Sequence, residues 1–370
     1  ETYECRSCRK NGTPYMEKAP VPYPPVLHSL ASASTITWLI HQKFELSIPL
    51  YRQEKEWEAL GLRLSRATMS NWLLVVYRDW LVHIVHRLKL ELLKQRYLHI
   101  DETHVQVLKE PGRKNTSDSY MWVYCSIRDA VNPIRYFEYQ PGRSGKYPEA
   151  FLREYEGYIH TDAYSGYNAV SGVKRCLCYT HLRRAFVDAL PKDIHNSEAS
   201  KPAEAILRLN QLFNIESELE AFPPDQKKKE RLIREKPLLE AFWSWAEKSA
   251  IGELPKSKLS KAFHYALNNR EGFWNYLEDG NCSISNSLAE NCIRPFVIGR
   301  KNWLFSGSPK GAEASAGIYT LVETAKANGL APMKYIKYIL SDMPGSAFLE
   351  HPEYLDDYLP WNPLVKEFCR

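Results

Sequence analysis

The 370-residue chain has no apolar run of about eighteen residues or more, and its first residues, Glu1-Thr-Tyr-Glu-Cys-Arg, lack the charged-then-apolar pattern of a secretory signal. Both absences argue against a membrane-spanning helix and against export, so a soluble cytoplasmic protein is expected. A disulfide framework is missing too. The eight cysteines, Cys5, Cys8, Cys125, Cys176, Cys178, Cys282, Cys292 and Cys369, are scattered through a long chain, which suits a reducing compartment. Charge of one sign is scarce. With 49 Lys and Arg against 44 Asp and Glu the net charge is +5, which permits a polyanionic partner without demanding one. No internal repeat or low-complexity tract is present. Core-forming material is plentiful, at 44% hydrophobic and 12% aromatic residues, in a length that calls for two or three folding units.

Within residues 1–18, Cys5-Arg-Ser-Cys8 is a C-x-x-C knuckle, half of a four-ligand zinc site. No later C-x-x-C completes it, and a pair of unliganded thiols fits the same residues. Residues 19–26, with Ala19-Pro-Val-Pro-Tyr-Pro-Pro25, form a stiff proline-rich linker. Over 27–95, apolar residues recur at spacings of three and four, as in Ile36, Leu39 and Ile40 and again in Leu73, Val76, Trp80 and Ile84, which predicts helices. Between Tyr51 and Trp72 the order is helix, turn at Gly61, cap at Ser65, second helix. That is a helix-turn-helix pattern, with Arg66, Thr68, Ser70 and Asn71 offering short polar and basic groups to phosphates or base edges. A plain helical hairpin with a polar face fits equally. Trp38, Trp57, Trp72 and Trp80 read as core.

Residues 96–195 open with Leu98-His-Ile-Asp101-Glu-Thr103, a short apolar strand that delivers Asp101 to its open end, while Glu102 points to the other face by strand alternation. Tyr120–Ile127 and Ile134–Tyr139 complete an antiparallel meander. A helix over Gly145–Tyr155 follows, then the strand ending at Asp162 and a last strand, Val173–Cys178. The order βββ-α-β-α-β-α predicts an α/β protein with a ribonuclease H-like, mixed five-stranded sheet and flanking helices, in which the first and fourth strands lie side by side. Asp101 and Asp162 would then sit at neighbouring strand tips. Cys178-Tyr-Thr-His181 opens an amphipathic helix. It reads either as half a zinc site or as a buried thiol beside a hydrogen-bonded histidine, and Arg183 and Arg184 follow it, facing the acids or solvent.

Residues 196–280 form a charged α-helical insertion. The segment 281–342 resumes the sheet domain, with a capped helix carrying Glu290 and with Arg294 one turn later. From Arg294 to Gly311 the chain combines Arg300, Lys301, an exposed Trp303 and glycine turns, either a phosphate-contact surface or a solvated basic loop. The tail, 343–370, reads as irregular. Asp101, Asp162 and Glu290 are the set to explain. Three acids converging from distant segments suit two divalent cations, Mg²⁺ or Mn²⁺, with Asp101 touching both ions and each of the others one. Two carboxylates would serve a glycosidase, but that reading leaves the third acid and the basic segments unused.

Several stretches together resemble the DDE transposases of bacterial insertion sequence 66. They are Leu50-Tyr-Arg-Gln-Glu54, Leu98–Thr103, Thr161-Asp162-Ala-Tyr-Ser-Gly166-Tyr167, Cys178–Phe186, Leu288-Ala-Glu290 and Ile293–Gly307, and the similarity runs from about Tyr3 to Leu340. The resemblance implies a ribonuclease H-like catalytic domain interrupted by a helical insertion and preceded by a helical DNA-binding region. It implies a Mg²⁺-dependent triad of Asp101, Asp162 and Glu290 that cleaves the terminal inverted repeats and joins their 3′-ends to target DNA. Double-stranded DNA would be the partner, with a homodimer or higher oligomer, accessory proteins of the same element and a nucleoid location. It also implies an N-terminal zinc segment, of which only Cys5 and Cys8 match, and a supporting role for Cys178 and His181. Relatives usually carry Asp-Asn-Asn and Glu-Arg around the third acid. This chain has Ser285-Asn286-Ser287 and Glu290-Asn291. A nuclease or resolvase without strand transfer, and a non-catalytic DNA-binding descendant, are the alternatives.

Overall fold

The computed structural model describes residues 2–18, 23–191 and 200–370; linker residues 19–22 and the expected boundary at 195/196 lie outside them. The chain opens on a small knuckle in which β1 (Thr2–Glu4) pairs with β2 (Met16–Lys18) around α1 (Arg6–Lys10). Then come α2 (Ala33–Ile40), running into a π-helical turn at His41–Glu45, α3 (Leu50–Ala59), α4 (Arg66–Val76), a second π-helical turn at Tyr77–Leu81 and α5 (Val82–Leu93). The expected hairpin is present: Gly61 turns with φ +86°, and the Ser65 hydroxyl caps α4 by accepting the Thr68 N–H at 3.1 Å, a cap worth about 1 kcal/mol.

The sheet begins with β3 (Tyr97–Val107), β4 (Asp118–Ser126) and β5 (Arg135–Gln140), the predicted meander. After α6 (Lys146–Phe151) come β6 (Gly157–Thr161), a 3₁₀ turn at Ser165–Ala169, β7 (Val173–Leu177) and α7 (Tyr179–Val187). The helix expected between the last two strands is therefore only that turn. The segment expected as an insertion, hereafter the insertion, contributes α8 (Lys201–Glu218), α9 (Pro224–Ala250), α10 (Lys258–Asn268) and α11 (Arg270–Trp274). Then follow α12 (Ser287–Trp303), β8 (Phe305–Ser306), α13 (Pro309–Ala327), α14 (Pro332–Asp342) and α15 (Pro363–Cys369). The sheet order is β5-β4-β3-β6-β7, with β8 added beside β3 as a sixth strand where five were expected. The stretch after Arg294, read as a loop, is helical to Trp303, because Pro295 falls inside the helix without ending it. Nor is the tail irregular. A 3₁₀ turn at Pro352–Tyr358 and α15 pack Tyr358, Val365 and Cys369 into the core.

One feature of the sheet positions the site. β3 pairs with β4 along one edge from Leu98 to Gln106. On its other edge it pairs in parallel with β6 only over Tyr97–His99 and with β8 only over Gln106–Val107. Residues 100–105 are unpaired there, so Asp101 lies at a gap in the middle of a long strand, not at the end of a short one. The alternating run from His104 continues the strand because its apolar members, Val105 and Val107, are buried.

Two cores hold this frame. The larger unites the 26–95 helices, β3 to β5 and the C-terminal helices, and the smaller joins β7 and α7 to the insertion. Edge strand β5 is covered by α13, whose Thr320 and Thr324 hydroxyls accept the N–H groups of Phe137 (2.8 Å) and Arg135 (3.1 Å). No described helix is long and apolar enough to cross a membrane.

Candidate active site

Asp101 and Asp162 are brought together by the β3–β6 register. His99 stands opposite His160, so the residues two further along each strand leave the paired region on neighbouring backbones. β6 ends at Thr161, and Asp162 turns the chain by accepting the Tyr164 N–H at 2.9 Å. Glu290 arrives on the first turn of α12. Asn286, just before that helix, fixes its entry. The Asn286 amide donates to the Ile100 carbonyl (2.8 Å), its Oδ1 meets His99 Nδ1 (3.0 Å) and its backbone N–H donates to Cys178 Sγ (3.2 Å). The departure from Asp-Asn-Asn around position 286 thus retains the residue that clamps α12 to the gap in β3.

The electrostatics agree that these acids share one site. The Asp101 carboxyl is pushed up to about 7, first by burial, then by the charges of Glu102, Asp162 and Glu290. Glu102, expected to point away, exerts the largest charge effect on Asp101 and shares Arg143 with Asp162. It is buried, accepts the Tyr167 hydroxyl and pairs with Arg143 at 2.6 Å, and Arg143 reaches Asp162 at 3.7 Å while lying 3.9 Å over the Tyr164 ring. Burial raises Glu102, and Tyr167 and Arg143 oppose that shift. Arg143 sits in a Pro-Gly-Arg-Ser-Gly turn 41 residues from Glu102, and nothing in the local pattern singled it out.

Cys178 caps the start of α7 and His181 lies one turn on, its Nδ1 3.7 Å from Glu290 Oε1. Burial pushes the Cys178 thiol up, but contacts with His181 and the Asn286 N–H outweigh it and hold the thiol low; the Cys178 contact in turn raises His181. Arg183 and Arg184 diverge: Arg183 donates to Asn210 of the insertion at 2.8 Å, and Arg184 is exposed. Arg294 is exposed and, among the described residues, forms no ion pair with Glu290.

Arg300 donates to Thr103 Oγ1 at 3.1 Å, two residues along β3 from Asp101 and so on the same face. Lys301 is exposed. Trp303 is half-buried rather than exposed, its ring 6.3 Å from Tyr319 and packed on Gly299, where a Cβ would come within 2.0 Å of the indole. Lys43, which sequence reasoning missed, stands 5.6 Å over the Trp303 ring from the π-helical turn. Burial lowers it to about 8 and lowers Arg300 as well, and no carboxylate answers either cation among the described residues. On the hairpin, Arg66, Thr68 and Asn71 are exposed and Ser70 half-buried, with the Thr68 hydroxyl engaged by the Ser65 cap. Cys5 and Cys8 are free thiols at the start of α1, and no third metal-ligating side chain joins them among the described residues.

Fold and site together define an α/β protein with a carboxylate cluster at a break in a mixed sheet. The chain belongs to the IS66 family of transposases: residues 28–314 match that family, described as "Transposase IS66 family". It is also similar to three proteins of Sinorhizobium fredii. These are uncharacterized protein y4hP (25% identical, covering 98% of this chain and 66% of the relative), y4qI (28%, 90% and 63%) and y4jD (26%, 97% and 71%). The chain thus spans about two thirds of the length of these relatives.

Proposed function

We propose that this chain carries the catalytic centre of a DDE transposase, cutting the terminal inverted repeats of an insertion sequence and joining the 3′-ends to target DNA. The observation that carries this reading is the convergence of Asp101, Asp162 and Glu290 from three separate elements at the gap in β3, with Asp101 pushed up to about 7 by burial and by the neighbouring carboxylates. An all-oxygen, anionic donor set of that kind fits hard divalent cations such as Mg²⁺ or Mn²⁺. When bound, a pair of such ions activates the attacking hydroxyl and neutralises charge on the transferring phosphoryl group.

The chain's own residues then have distinct tasks. The three acids would hold the ions beside the scissile phosphate. Arg143 opposes the upward shift that burial imposes on Glu102 and places a positive charge 3.7 Å from Asp162. Arg300 and Lys43, cations without acid partners, suit DNA phosphates, and Lys301 and Arg294 extend that surface. Arg66 and its neighbours on α4 suit the terminal repeats, in the manner of a helix-turn-helix. In the first step water displaces a 3′-oxygen at the element's end; in the second that 3′-hydroxyl displaces a 3′-oxygen of the target. A ribonuclease H-like sheet, a homodimer or higher oligomer that brings two ends together, accessory proteins and nucleoid association accompany this reading. A zinc site at Cys5 and Cys8 needs ligands beyond the described residues, and no step depends on it.

The test is a strand-transfer assay with a labelled, pre-cleaved terminal repeat in Mg²⁺ or Mn²⁺, comparing the chain with Asp162→Asn. Metal-dependent joined product that vanishes in the variant is expected. Cleavage without joining would move the assignment to a nuclease, and binding without either reaction to a DNA-binding descendant.

A further inference from the structure

Among the described residues, two clusters bring a histidine together with metal-ligating partners, and they differ in one respect. His160, Cys176 and Cys282 are buried with their ligand atoms within 4.8 Å of one another. Yet both His160 nitrogens are taken, Nδ1 by the Leu98 carbonyl at 3.2 Å and Nε2 by the Ser283 N–H at 2.9 Å, and the ring is stacked on His99 at 4.2 Å. That imidazole has no lone pair to offer and is a packing element. Cys178, His181 and Glu290 also place their ligand atoms within 4.8 Å of one another, but here valences are open. His181 Nδ1 and Glu290 Oε1 are both inaccessible to solvent and both without a hydrogen-bond partner, 3.7 Å apart. That separation is too long for a hydrogen bond. It lies a few tenths of an ångström beyond the roughly 3.3 to 3.5 Å between a nitrogen and an oxygen ligand of a tetrahedral zinc ion with bonds of about 2.0 to 2.2 Å, a gap that a small side-chain rotation closes.

We infer that Cys178, His181 and Glu290 form a binding site for a thiophilic divalent cation, Zn²⁺ by its chemistry, distinct from the all-carboxylate set it adjoins. One sulfur, one imidazole nitrogen and one carboxylate oxygen are a zinc donor set and a poor one for Mg²⁺, which selects oxygen. The backbone supplies the outer contact that a bound thiolate takes, since the Asn286 N–H donates to Cys178 Sγ at 3.2 Å. The side chains of His181 and Glu290 are 26% and 27% exposed although the two ligand atoms themselves are covered, so an ion can reach the site from solvent by a small movement of either side chain. Glu290 would be shared by both sets and cannot serve both at once. Zinc here withdraws it from Asp101 and Asp162 and makes Zn²⁺ an inhibitor of the magnesium-dependent reaction. That consequence rests on the function proposed above; the binding itself does not.

Cobalt spectroscopy tests the binding without any activity measurement. The full chain carrying Cys5→Ser and Cys8→Ser, which removes the N-terminal thiols, is titrated anaerobically with Co²⁺. Tetrahedral visible bands and a thiolate-to-cobalt charge-transfer band, saturating at one equivalent and erased by one equivalent of Zn²⁺, are expected. Cys178→Ser should remove the charge-transfer band. His181→Gln and Glu290→Gln should each weaken binding by at least about tenfold while the far-ultraviolet circular dichroism stays that of the parent. His181 is partly exposed, so His181→Gln keeps the test decisive if Cys178→Ser fails to fold. Bands that survive Cys178→Ser, affinity unchanged in both His181→Gln and Glu290→Gln, or no tetrahedral spectrum in the folded parent would each overturn the site. No strand transfer by the cobalt- and zinc-free chain in Mg²⁺ or Mn²⁺, with the expected cobalt spectrum in a parallel sample, would overturn the transposase reading and leave the metal site standing.

Discussion

The insertion and the candidate active site both bury ionisable groups, and they settle the charge in opposite ways. In the insertion, Arg231 is fully buried and its guanidinium is saturated. It donates to both Glu216 oxygens at 2.6 and 2.8 Å and to the carbonyls of Tyr276 (3.1 Å), Asp279 (3.1 Å) and Cys282 (2.8 Å). Glu235 accepts the Tyr276 hydroxyl at 2.6 Å; burial and then the Glu216 charge push it up to about 8, so it remains protonated at neutrality. In the candidate active site Asp101, Glu102, Asp162 and Glu290 outnumber their arginines among the described residues: Arg143 serves Glu102 at 2.6 Å and Asp162 only at 3.7 Å, and Arg175 reaches Asp162 through its backbone carbonyl at 2.6 Å. A buried network whose charges are paired or protonated organises the fold, whereas one left with surplus charge of one sign is shaped for a ligand.

Substitution at the two centres should therefore have opposite outcomes. Asp101→Asn should lower strand transfer by at least about a hundredfold, more than the loss of a supporting contact to a metal ligand, without lowering the thermal midpoint of the metal-free chain. A large drop in that midpoint would show that the acids serve the fold instead. Arg231→Ala should do the reverse, costing about 3 kcal/mol in a urea titration because it leaves Glu216 only Lys227, at 3.5 Å, with the rate per folded molecule unchanged. Asn286→Ala, which leaves His99 Nδ1 and the Ile100 carbonyl unpaired at the junction of sheet and helix, should cost about 1 to 3 kcal/mol by the same measurement.

The pH dependence sharpens the contrast. The Asp101 carboxyl has a folded-state value of about 7 against an ordinary 3.8, so the unfolded chain releases that proton first. Stability from this group is full below about 4 and declines as pH rises through 7. Glu235, about 8 against 4.5, declines over a range that extends one unit higher. Urea midpoints of the metal-free chain at pH 5 and pH 8 should converge in part in Asp101→Asn and in part in Glu235→Gln. Saturating Mg²⁺ should cancel the Asp101 share and leave the Glu235 share untouched; an equal effect on both would sink the distinction. The smallest effect belongs to the hairpin, where Arg66→Ala should weaken DNA binding uniformly across sequences and reduce the salt slope of log K by about 1.

Local pattern carried much of this organisation. Apolar spacing located the helices before residue 95, alternation located the meander, and the Ser65 cap and Gly61 turn marked the hairpin, because each depends on residues only a few positions apart. The three acids stood out for a similar reason, each lying at the end of an apolar stretch or on a capped first turn. Errors arose where distant chain decides. Trp303 looked exposed in a basic segment until Gly299 and Tyr319 were seen to receive it. Asp101 seemed to end a strand that in fact runs on to Val107.

What the amino-acid order determined by itself is thus the periodicity of the elements and the identity of the acids, the C-x-x-H and the cations. What only the tertiary structure decided is their company. The unpaired stretch of β3 exists because β6 stops at Thr161 and β8 arrives only at Phe305. Arg143 meets Glu102 across 41 residues, and Asn286 meets His99 across 187. Short-range spacing encodes backbone conformation, but a side chain's partner across the fold is set by how whole elements pack, and no local pattern carries that information.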